Sequence, residues 1–146
     1  MERSFVNIGE NESKKIGALE QSGTPAAFSD AVRVETGDAV FLYISGQTPI
    51  DDDANLVGET MYDQTVQVME RLKRIVEYEG GKMTDIVRVR VFVTDISPDA
   101  LRQVHQARNL YFPAGARPAS TLVQITAIIR DGGMIEIDAD AVLPKG

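Results

Sequence analysis

Arg117-Pro118-Ala119-Ser120-Thr121-Leu122-Val123-Gln124-Ile125 is the stretch whose reading decides the fold. Residues 120–126 read as a strand. Upstream, Ser97-Pro98 has the form of an N-cap followed by proline in the first helical turn. Leu101, Val104, Arg108 and Tyr111 then recur at helical spacing, and Pro113 stops the helix. Downstream, Arg130-Asp131-Gly132-Gly133 leads into a final strand over 134–142 that carries Ile135-Glu136-Ile137-Asp138. Helix, strand, turn and strand in this order belong to an α+β sheet.

Further outward the pattern continues. Residues 60–79 hold Tyr62, Val66, Met69 and Val76 at helical spacing, with Val68 and Ile75 widening the stripe. Gly80-Gly81 closes that helix. Residues 86–94 are rich in β-branched side chains and predict a strand. Ala31-Val32-Arg33-Val34-Glu35 and Val40-Phe41-Leu42-Tyr43-Ile44 flank the turn Thr36-Gly37-Asp38 and predict a hairpin. Strand, helix and strand in succession imply a right-handed parallel crossover. Residues 1–23 are expected to be an arm with one short strand at Phe5-Val6-Asn7-Ile8, and 24–146 the domain proper. The expectation is about six mixed strands with two helices on one face.

The other face then matters. Arg88, Arg90, Phe92 and Thr94 alternate with the valines of their strand, and Glu136, Asp138 and Asp140 share one side of the last strand. A helix-free face bearing these groups is either solvated or a subunit interface with paired charges.

Composition narrows the chemistry. At 146 residues, with 43% hydrophobic and 25% charged residues, the chain can bury a globular core. It has no cysteine, which excludes disulfides, thiolate nucleophiles and cysteine-bound metals. His105 is the sole histidine, so one subunit cannot build a multi-histidine metal site. No metal and no cofactor is expected. The acidic triplet Glu136, Asp138 and Asp140 is instead read as solvated or salt-bridged. A net charge of -7 argues against nucleic acid as a partner. No apolar run reaches the roughly 20 residues of a membrane span, and Met1-Glu2-Arg3-Ser4 opens no signal peptide, so a cytoplasmic protein is expected.

Several landmarks resemble the RidA/YjgF family (endoribonuclease L-PSP-like) over residues 24–143. Ala27-Phe28-Ser29-Asp30-Ala31-Val32 is similar to its Pro-Tyr-Ser-Gln-Ala-Val. Ile44-Ser45-Gly46-Gln47-Thr48-Pro49 resembles Val-Ser-Gly-Gln-x-Pro, and Val91-Phe92-Val93-Thr94-Asp95 resembles Val-Phe-Leu-Thr-Asp. Ile135-Glu136-Ile137-Asp138-Ala139 resembles Val-Glu-Ile-Glu-Ala. The resemblance implies a chorismate-mutase-like fold and a homotrimer whose sheets line a central barrel, with ligand clefts between subunits. It also implies hydrolysis of enamines or imines such as 2-aminoacrylate to a keto acid and ammonia. Glu136 would place the water, while the backbone near Gly46, with Ser45 and Gln47 beside it, and the positions of Phe28 and His105 would line the cleft.

Three positions depart from the family pattern. Phe28 stands where the family has tyrosine, and His105 where it has asparagine. Aligning Val123-Gln124-Ile125 with the family's Val-Gln-Val puts Ser120 where the carboxylate-gripping arginine of its Ala-Arg-Ser-x-Val strand belongs. Arg117 lies three residues earlier, about 10 Å along a strand and on the opposite face unless Pro118-Ala119 bulge. Ser120 and Thr121 are either strand-opening hydroxyls or neutral donors to a ligand. Arg117 is either a rim arginine or a carboxylate anchor reaching from the cleft edge. Arg90 is either paired with Glu136, Asp138 or a neighbouring chain, or a relocated anion clamp. Glu136 is a structural or a catalytic acid. The leading functional expectation is a divergent enamine or imine deaminase, with 2-aminomuconate-type substrates within the fold's range. The alternative is a non-catalytic trimer that binds a small carboxylate. A ribonuclease or translation-inhibitor role is disfavoured by the charge and the single histidine.

Overall fold

The computed structural model describes residues 1–145. Six strands form one sheet: β1 (Glu2–Val6), β2 (Ala31–Glu35), β3 (Ala39–Gln47), β4 (Ile86–Val93), β5 (Ala119–Gln124) and β6 (Ile135–Pro144). Their order is β1-β2-β3-β6-β4-β5. Every neighbouring pair is antiparallel except β4 and β5. Three α-helices, α1 (Gly17–Ser22), α2 (Met61–Tyr78) and α3 (Pro98–Asn109), complete the domain. The fold is therefore the mixed α+β sheet expected, with one helix more than the periodicity predicts. α1 has six residues and buries none of them, so it leaves no apolar stripe to detect. The first strand also begins earlier than expected, at Glu2, and pairs with β2 at the sheet edge.

The predicted hairpin forms, with Glu35 opposite Val40 across the turn. β3 and β4 both run antiparallel to β6, hence parallel to one another, but β6 lies between them. α2 starts at Thr60, whose hydroxyl accepts the Asp63 amide at 3.1 Å. It ends at Gly80, which takes a φ of 87° that a side chain would disfavour. Ser97 caps α3 by accepting the Ala100 amide at 3.3 Å.

The core lies between α2, α3 and one face of the sheet. Val40, Leu42 and Ile44 of β3, Val89, Val91 and Val93 of β4, and Ile135, Ile137 and Ala139 of β6 meet Val68, Leu72, Ile75 and Val104 of the helices. Period-two alternation then sends Phe41, Tyr43, Arg88, Arg90, Phe92, Glu136, Asp138 and Asp140 to the uncovered face. The ladder between β3 and β6 shifts between Ile44 and Gln47. This irregularity takes Ser45 and Gly46 out of regular pairing beside Glu136 and re-aims the strand end.

Candidate functional site

A cavity of about 270 Å³ opens where β3 leaves the sheet. Phe28, Ser45, Gly46, Gln47 and Glu136 line it together, as do Ser13, Ile16, Arg71, Ile129 and Arg130. Ser45 is fixed by donating to the Ser29 carbonyl at 2.6 Å, and Gln47 donates to the Ser45 carbonyl at 2.9 Å. Gly46 makes room for the acid: a Cβ there would crowd the Glu136 carboxyl, 2.9 Å from its Cδ. Burial, with Asp138 adding negative charge nearby, pushes the Glu136 pKa above the usual carboxylate value. That is the direction acid–base work at neutral pH requires.

Two cations that sequence reading passes over face the same cavity. Arg71 is 8% exposed, and its Nη1 donates to Glu12 and to the Ile50 carbonyl, both at 3.4 Å. Arg130 donates to the carbonyls of Lys15 at 2.5 Å, Ser13 at 3.1 Å and Glu12 at 3.3 Å. The Nε of each is buried without a partner. Both guanidiniums hold the segment around residues 12–15 as one wall of the cavity. Asp30 fastens the same segment by accepting the Ser13 hydroxyl at 2.5 Å and the Ile8 amide at 2.9 Å. The available signal was positional: Arg71 falls on the buried stripe of α2 beside Val68, Leu72 and Ile75.

The remaining candidates lie elsewhere in the single chain. Arg90 donates to Asp138 at 2.9 Å and to Asp140 at 3.4 Å, so it takes the charge-pair role rather than that of an anion clamp within this chain. That pairing also accounts for two of the three acidic residues of β6. Among the described residues no group of three or more His, Cys, Asp or Glu side chains is placed to hold a metal. Thr121 accepts from Arg88 at 2.9 Å. His105, Arg117 and Ser120 line a second cavity of about 170 Å³ with Arg108, Asn109, Phe112 and Pro118.

The sheet explains the separation. Ser120 pairs with Val89, and Val89 with Ala139, three residues beyond Glu136 on a strand two positions away. That offset amounts to about 14 Å, from strand spacing and rise. Val89 and Ala139 belong to the helix-covered side, so Ser120 shares their row while Glu136 faces the open side. Arg117 precedes β5 and is exposed. Within one chain these residues therefore line two separate cavities, whereas the resemblance places the ligand cleft between subunits.

The match to known proteins follows the same architecture. The family model described as Endoribonuclease L-PSP matches residues 20–143. Protein DfrA of Myxococcus xanthus is 38% identical over 116 residues, covering 79% of this chain and 84% of that protein. The 2-iminobutanoate/2-iminopropanoate deaminase of Salmonella typhimurium is 36% identical over 121 residues, covering 81% and 91%. A crystal structure of a YjgF/YER057c/UK114 family member from Mycobacterium tuberculosis superposes with a TM-score of 0.73 at 27% identity, covering 97% of this chain and 100% of that one. The chain belongs to the endoribonuclease L-PSP family, the RidA/YjgF group.

Proposed function

We propose that the protein hydrolyses a small imino or enamino acid to a keto acid and ammonia. The observation that carries this reading is a half-buried carboxyl of raised pKa, Glu136, in a cavity that also presents Arg71 and Arg130. The identity with the Salmonella deaminase supports the reaction class. An imino acid has two features to be met. Its carboxylate suits a guanidinium, and its electrophilic carbon needs a positioned water. Glu136 as the carboxylate takes a proton from water while the hydroxyl oxygen bonds to the imine carbon. With the imine nitrogen entering protonated, the C=N π electrons pass to nitrogen and a neutral carbinolamine results; Glu136 returns its proton to nitrogen, the C–N bond breaks as ammonia leaves, and the hydroxyl proton passes back to Glu136 as the C=O bond forms.

The protein acts as a homotrimer in this proposal, with the open sheet face turned inward. β5 supports an assembly. It is an edge strand with almost nothing buried, and Val123 on it is 43% exposed. Unpaired edges of this kind are normally covered or blunted. Packing of neighbouring chains would bring the second cavity of one subunit towards the first cavity of the next.

A second reading, a non-catalytic carboxylate-binding assembly, is favoured by Ser120 standing in the register of the family's arginine. Ammonia release from enzymatically generated 2-aminoacrylate separates the two. The deaminase reading predicts a rate above buffer that Glu136→Gln removes while the fold survives. A folded protein that gives no rate above buffer, yet binds keto acids, selects the second reading.

A further inference from the structure

Arg130 stands in an unfavourable place. It donates to three carbonyls and to no carboxylate. Burial and the nearby positive charge of Arg71 both push its pKa down, so both work against a cation there. Its position must therefore be imposed by the backbone that carries it. That backbone is a tight loop: Gly133 donates to the Arg130 carbonyl at 2.9 Å, and Gly132 takes a φ of 78°. Gln64 of α2, 1% exposed, pins the loop on its downstream side. Its Nε2 donates to the Gly132 carbonyl at 3.1 Å and its Oε1 accepts the Met134 amide at 2.7 Å. Nε2 also donates to the Gly58 carbonyl at 3.2 Å. Two carbonyls on one side and an N–H on the other leave a single orientation for the side-chain amide.

We propose that Gln64 is a positioning residue, holding Arg130 at the cavity and, through Arg130, holding residues 12–16 as the cavity wall. Gln64 does not line the cavity and makes no hydrogen bond to those residues, so its influence passes through the loop. Arg71 lies seven residues further, two turns along the same buried face of α2. One helix thereby fixes both cations, Arg71 as its own side chain and Arg130 through Gln64. The wall depends on this because its other side-chain fastenings are few: Glu12 to Arg71 and Arg74, and Ser13 and Lys14 to Asp30. The structural part of this assignment stands apart from the deaminase reading; its kinetic consequence rests on that reading.

Hydrogen exchange of the full chain, followed by mass spectrometry, tests the structural part. The amides of Lys14, Lys15 and Ile16 bond within their own segment, so their exchange reports its opening. Arg130→Gln and Gln64→Met should each speed exchange over residues 12–16 by about tenfold, the loss of one charge-assisted hydrogen bond. Added to Arg130→Gln, Gln64→Met should contribute no more than about a further twofold, because both act through one guanidinium. Gln64→Asn, one carbon too short to span the three backbone groups, carries the same expectation if Gln64→Met does not fold. Unchanged exchange over 12–16, a rise shared equally by β6, or full additivity in the double variant would each overturn the assignment. With 2-iminopropanoate, Gln64→Met should raise KM by about tenfold while kcat and its pH profile, governed by Glu136, hold within about twofold. A loss confined to kcat would also overturn it. An unsubstituted protein that folds but gives no turnover would refute the deaminase reading alone and leave the exchange result to decide.

Discussion

Glu136 and Gly46 form the contact on which the proposed chemistry turns. The carboxyl lies where a side chain at Gly46 would have to be, so the glycine is needed for space rather than for an unusual φ. Gly46→Ala should fold with only a small loss of melting temperature, since a flexible carboxyl end can swing aside. Turnover should fall to the level of Glu136→Gln, as comparing kcat of both variants would reveal. Burial makes the ionised form of Glu136 costly and raises its folded pKa. By linkage, the folded state gains relative to the unfolded state below the normal carboxylate pKa, and that gain disappears as pH rises through the folded value. Glu136→Gln should therefore raise the melting temperature at neutral pH, and the increase should shrink in acid. An increase that grew in acid would contradict the burial argument. At this scale the sequence was half legible. Gly46 and Glu136 stood out through resemblance, while Arg71 and Arg108 lay on apolar stripes where spacing alone does not say whether an arginine points inward.

At the scale of elements, regular periodicity carried the reading. The long helix was expected at 60–79 and spans Met61–Tyr78; the strand expected at 86–94 spans Ile86–Val93. What could not be read is the segment preceding α1, because its role depends on contacts 59 residues apart in the chain. Glu12 is 1% exposed and takes hydrogen bonds from Arg74 at 2.8 Å and Arg71 at 3.4 Å. Burial pushes its pKa up, but the backbone N–H and the two guanidiniums outweigh that and hold it below the usual value. Its contribution is thus present above the normal carboxylate pKa and lost as pH falls through the lowered one. Glu12→Gln should cost about 3 kcal/mol at neutral pH, the low end for breaking a buried pair, because Arg74 can still reach Asp52. Urea unfolding at neutral and acidic pH should show the difference narrowing in acid. The same variant should open the cavity wall formed by Ser13 and Ile16.

For the whole molecule, the central question is what covers the open face. Tyr43, Phe92 and Val142 share it with the ion pairs of Arg90 to Asp138 and Asp140. β5 offers an uncovered edge beside it. Sedimentation equilibrium should give a species of three chains, and Val123→Lys, placing a charge on that edge, should shift it towards monomer. A monomer for the unsubstituted chain would remove the proposed assembly. The alternation of the strands made this face visible in the sequence, but no single-chain pattern says what packs on it. The most direct test of the functional account is the pH dependence of kcat/KM for hydrolysis of 2-iminopropanoate. The account predicts a rate that rises through a pKa above the ordinary carboxylate range and falls to the buffer rate in Glu136→Gln. A Glu136→Gln protein that keeps the full rate, or a folded wild-type protein with no rate above buffer at any pH, would contradict it.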